Sequence, residues 1–168
     1  FTAPKPAGAT PADWDSQDTP ARLAQALSSA PMPAAAPPRD MPGPTGESNR
    51  LTLQPRGPVL CLGPGPAAAA AQAKQVEQWG GQPVMAQGTV AASVLSRLNP
   101  LANVIWWGDA EQGRAYARAL ADRDGPIIGL ITATPDIAHV MHERHVCIDT
   151  TAAGGNAALL AEVAVLTP

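Results

Sequence analysis

Three groups of residues could do chemistry. The first is Gly63-Pro64-Gly65-Pro66-Ala67-Ala68, which fits G-x-G-x-x-[GA] between an apolar run and a helical window. In a dinucleotide turn the second glycine lets the backbone approach a pyrophosphate, and the helix N-terminus binds it. Here Pro64 and Pro66 remove backbone donors, and Gln87-Gly88 stands where an acid for the ribose hydroxyl is expected. A plain strand-to-helix turn is the preferred reading, with Gly63 and Gly65 kept as weak cofactor candidates. The second group is His139, His142, His145 and Cys147, a spacing from which a zinc site could be built. Glu143 and Arg144 interrupt it, Cys147 falls in a strand run, and His145 falls past the expected helix end. Solvated helix-face histidines and no metal are expected. The third is a cysteine nucleophile. Cys61 and Cys147 both sit in apolar strand runs without the exposure and positive surroundings a thiolate needs. Both are expected to be core residues, and no catalytic residue is assigned. No serine lies in a G-x-S-x-G elbow.

A fourth segment, Thr150-Thr151-Ala152-Ala153-Gly154-Gly155-Asn156, bears on packing rather than reaction. Its glycines mark a chain reversal. Its small residues would also let another backbone come close. A plain turn and a docking surface fit equally well.

The elements that must position these residues emerge from where the apolar residues fall. The chain has 168 residues and net charge −3, and 34 alanines, 15 glycines and 19 prolines dominate it. Residues 1–50 hold only six apolar residues larger than alanine, whereas residues 51–168 hold 36. More than half of the prolines lie in residues 1–44, so no long helix or central strand is expected there. That stretch reads as a proline-rich linker with one short helix near 19–29. Asp18 or Thr19 would cap it, Pro20 would open it, and Leu23, Ala26 and Leu27 would form its stripe.

From residue 45 to 168 strands and helices alternate. Strand runs are Val59–Leu62, Pro83–Ala86, Val104–Trp107, Pro126–Ile131 and Val146–Thr150. Helical windows are about 67–79, 89–98, 110–123 and 135–144. Apolar parallel strands covered by helices on both faces are the expected result, an α/β, Rossmann-like three-layer domain with a C-terminal tail. Trp106 and Trp107 should pack on opposite faces of one strand. The acidic balance argues against nucleic acid, and no apolar run is long enough to span a membrane. Two cysteines without a leader suit a reducing cytoplasm. A first residue Phe1 rather than Met suggests a piece of a longer polypeptide.

Three blocks resemble the proline utilization A (PutA) family. They are Met41–Asn49 with Leu51–Leu62; Trp107-Gly108-Asp109 with Arg123–Ile128; and Glu143-Arg144 with Thr150–Leu159. The resemblance covers about residues 41–160. Departures are Asp149, where the family has Asn, and the run from Ala161 to Pro168. PutA oxidises proline to glutamate with an FAD-dependent proline dehydrogenase and an NAD-dependent glutamate-semialdehyde dehydrogenase. The resemblance implies the extra C-terminal, aldehyde-dehydrogenase-like domain of its longer members. Such a domain has no cofactor of its own; FAD and NAD would belong to the parent enzyme. Its partners would be the catalytic domains of the same polypeptide, against which residues 150–156 would form an interface or lid over the internal tunnel. A vestigial or regulatory nucleotide-binding module and an oligomerisation domain are the alternatives.

Overall fold

The computed structural model describes residues 14–149. The predicted lid, Thr150 to Asn156, lies outside the described residues. Along the chain run α1 (Pro20–Ser29), β1 (Arg39–Met41), β2 (Glu47–Pro55), β3 (Val59–Cys61), α2 (Gly65–Gln78) and β4 (Pro83–Met85). There follow α3 (Ala92–Leu95), β5 (Asn103–Ile105), α4 (Ala110–Ala121), β6 (Gly129–Ile131), α5 (Ile137–Val140) and β7 (Met141–Asp149). They form two compact units. Described residues 14–34 and 55–142 make the first, and 35–54 and 143–149 the second.

The first unit is an α/β arrangement around a parallel four-stranded sheet in the order β4-β3-β5-β6. Leu60 lies opposite both Val84 and Val104, and Val104 opposite Leu130. Successive strand residues point to opposite faces, so the continuous apolar runs feed two cores. Leu60, Leu62, Val104 and Trp106 pack with Leu23 and Leu27 of α1, Leu95 of α3, and Tyr116 and Leu120 of α4. Val59, Cys61, Ile105 and Trp107 pack with Ala73 and Val76 of α2 and Val140 of α5. Helices thus cover both faces. Each large apolar side chain buried this way contributes about 1.5–3 kcal/mol before entropy is counted.

Local sequence explains the helix ends. Thr19 Oγ1 accepts the Arg22 backbone N–H at 3.2 Å, and Pro20 follows at the first helical position. Asp109 caps α4 through a 2.8 Å bond from the Gln112 N–H. Helix α2 stops where Gly80 turns to φ +75°, a conformation costly for any residue with a Cβ.

The short helix expected near 19–29 is α1, and it places Leu23 and Leu27, 0% and 1% exposed, in the core. Three expectations need correction. The helix expected over 89–98 shrinks to Ala92–Leu95, because the backbone of Thr89 is drawn into a bridge with Gln17. The helix expected over 135–144 ends at Val140, and Met141 is already extended at φ −123°, ψ 147°. Val146 to Asp149 are not a fifth strand of the parallel sheet; they end β7, which joins the second unit's sheet, β1-β2-β7.

In that second sheet β1 pairs antiparallel with β2, Arg39 opposite Leu51 and Met41 opposite Asn49. No described residue of this unit is buried, and β7 is exposed from His142 to Asp149. Among the described residues no helix is long and apolar enough to cross a membrane.

Candidate functional site

The glycine turn after β3 is where a nucleotide would be sought. The Gly63 N–H donates to Gln72 Oε1 at 3.0 Å, and Gln72 Nε2 donates back to the Gly63 carbonyl at 2.7 Å. That carbonyl also accepts the Trp107 N–H at 3.0 Å. Gln72 is fully buried, about two turns into α2. Both backbone groups of Gly63 are therefore occupied from inside. Pro64 and Pro66 supply no N–H to the first turn of α2. A pyrophosphate would find the Gly63 donor taken and the proline positions empty of donors. These residues do not fit a dinucleotide.

The end of β4 adds a feature that sequence reading missed. Its backbone meets a carboxylate after all, but that carboxylate comes from upstream of the whole sheet. Asp18 Oδ2 accepts the Gln87 N–H at 2.8 Å. Arg22 Nε donates to Asp18 Oδ1 at 2.6 Å, and Arg22 Nη2 completes a two-pronged pair with Oδ2. Arg22 Nη2 also donates to the Met85 carbonyl at 3.0 Å. The side chain of Asp18 is only 1% exposed, and both of its oxygens accept hydrogen bonds from within the chain. Asp18 does not cap α1; Thr19 does. A carboxylate followed four residues later by Arg was visible in sequence, but its target 69 residues away was not.

The two thiols part company. Cys61 is buried, and loss of solvent, with a smaller push from Glu77, raises its thiol to about 12. It packs between strands as expected and is inert at neutral pH. Cys147, expected in the core, is exposed on β7. The reason is the half-polar run from His142 to Asp149, which suits an open strand rather than a covered one.

The histidines do not converge. His139 sits in α5, where its Nδ1 accepts the Asp136 N–H at 3.1 Å in a reciprocal cap. His142 and His145 lie on β7, three residues apart, and therefore face opposite sides. Among the described residues no group of three or more His, Cys, Asp or Glu could hold a metal.

Trp106 and Trp107 do face opposite ways. Trp106 Nε1 donates to the Asp109 carbonyl at 2.9 Å, and its ring meets Tyr116 edge-on at 5.3 Å. Trp107 Nε1 donates to the Ala133 carbonyl at 3.0 Å. Both indoles are satisfied core residues rather than stacking platforms.

What this geometry defines is an α/β chain whose Gly63 backbone is occupied from within and whose Cys61 thiol is buried. No family model matches it. It is similar to part of proteins named Bifunctional protein PutA. Identity is 31% over 145 residues with that of Escherichia coli (strain K12), covering 73% of this chain and 11% of the relative. With that of Rhizobium meliloti it is 31% over 157 residues, covering 73% and 12%. The chain thus spans about a tenth of the length of the curated relatives it matches. Among solved structures, a mutant of Bradyrhizobium japonicum proline utilization A aligns with 56% of this chain and 13% of its own, at 25% identity and a TM-score of 0.39.

Proposed function

We propose that this chain is the non-catalytic, aldehyde-dehydrogenase-like C-terminal domain of a PutA-like enzyme, which oxidises proline to glutamate in the cytoplasm. In this reading FAD and NAD serve the catalytic domains of the same polypeptide, and this domain acts as lid and interface for them. It contacts no nucleic acid itself. Its first unit is a Rossmann-like layer that has lost its ligand and kept its scaffold.

The observation that carries the reading is the second unit. A three-stranded sheet needs one covered apolar face to be stable in water. Here β7 is open from His142 to Asp149, with Ile148 58% exposed and Val146 40% exposed. A sheet of this kind gains its stability by lying against another surface. The catalytic domains are that surface in this proposal, and residues 150–156 supply its closest approach. Excluding water there would keep the semialdehyde from escaping between the two oxidations.

The test is kinetic and uses the whole polypeptide. Gly154→Leu with Gly155→Leu should slow proline-to-glutamate flux and introduce a lag, while proline oxidation measured alone stays intact. Unchanged flux with no lag would defeat the proposal. The nucleotide-binding alternative gains no support from the Gly63 turn, whose backbone groups are occupied from inside.

A further inference from the structure

In open α/β sheets an outside ligand lies in the crevice at the carboxyl ends of the strands. In this chain the ends of β3 and β4 are already covered, by residues 14–18. The cover is held at each step. Trp14 Nε1 donates to the Leu62 carbonyl at 3.0 Å, just beyond β3. The Ser16 carbonyl accepts the Thr89 N–H at 2.8 Å, and the Asp18 N–H donates to the Thr89 carbonyl at 2.9 Å. These two bonds bracket Gln17 as one rung of a parallel ladder with Thr89. Asp18 then closes the end of β4 through the Gln87 N–H and Arg22.

Gly88 shows that this packing is built in. A Cβ there would lie 2.5–2.7 Å from Asp18 N, Ser16 O and Gln17 C. All three are backbone atoms, which cannot swing aside as a side chain could. Gly88 has no left-handed φ to excuse it; the missing side chain leaves room for the segment and serves no turn.

We infer that residues 14–18 form a strap over the ends of β3 and β4, so that those ends open to an outside molecule only when the strap lifts. The contacts are those of an extended segment on an exposed backbone rung, plus one indole and one carboxylate. They lie apart from the two apolar cores, apart from Trp14, which packs at the edge of one. The strap can therefore leave without unfolding the sheet. This inference stands independently of the proposed lid role.

Amide hydrogen exchange on the 168-residue chain tests it. Gly88→Ala forces a Cβ against the strap backbone. The Asp18, Gln87 and Thr89 amides should then exchange at least tenfold faster. The Leu62 and Trp106 amides, which donate to the Ile105 and Ile131 carbonyls within the sheet, should keep their protection. Trp14→Phe removes the indole donor together with part of the ring that packs at the core edge, and should speed the same three amides severalfold; it serves if Gly88→Ala folds poorly. Unchanged exchange at Gln87 and Thr89 in Trp14→Phe would overturn the inference. So would equal acceleration at Leu62 and Trp106, which would make the strap an inseparable part of the core.

Discussion

The two units of this chain use strands in opposite ways. The first has strands of only three residues, yet every residue of β3 and β5 is buried and helices lie on both faces. The second has two strands of nine residues and not one buried residue among those described. Strand length is therefore no measure of stability here. Short strands survive because their side chains are covered twice, while long ones are held by their ladder hydrogen bonds, which contribute little net free energy in water. The difference separates a self-sufficient core from a surface that asks for a neighbour.

The contrast can be broken most sharply at the thiols. A maleimide at neutral pH should label Cys147 at once and Cys61 more than about a thousandfold more slowly, since Cys61 reacts only when the first unit opens. Comparable rates would mean that the double cover over β3 is loose. Next in size is the core itself. Leu60→Ala should cost about 2–5 kcal/mol in denaturant unfolding, because both strand neighbours and α1 lose contacts at once. Gln72→Ala should cost about 2–3 kcal/mol by leaving the Gly63 N–H without its partner; a smaller loss would show the turn to be hydrated. Thr19→Ala removes one cap and should cost about 1 kcal/mol. At the bottom, Ile148→Ser on β7 should shift unfolding by no more than about 0.5 kcal/mol. A larger shift would reveal that β7 is covered after all.

A pH series sharpens the same comparison. The folded state holds the Cys61 proton more tightly than the unfolded chain does. Its contribution is therefore complete below the ordinary thiol value of 9.0 and is lost as pH rises toward about 12. Replacing Cys61 by Ala should flatten that alkaline decline, while replacing exposed Cys147 should leave it in place.

Much of the first unit was legible because its signals are local. Val59 to Leu62 and Val104 to Trp107 are unbroken apolar runs between glycines and prolines, and such runs are strands buried on both faces. The Asn99-Pro100 and Gly80-Gly81 stops were equally plain. What escaped reading depended on distant partners. His139 to His145 carry no apolar period, so nothing in them says that β2 will draw Met141 onward into a strand. Thr89 looks like a helix cap until Gln17 arrives beside it. The prolines of the glycine turn are plain in the sequence, but Gln72, which bonds Gly63, is one glutamine among several on an alanine-rich helix. Asp18 was legible only as a cap, because its use at the end of β4 depends on a fold that must already exist.

That placement of Asp18 affects how relatives of this chain should be recognised. A search that begins at the glycine turn and scans forward for an acid will report none, although a carboxylate reaches the end of β4 from the other direction. A gene trimmed to begin where the apolar pattern begins would discard it, along with two leucines that the sheet needs on one of its sides. The aggregation that followed would say more about the scissors than about the domain.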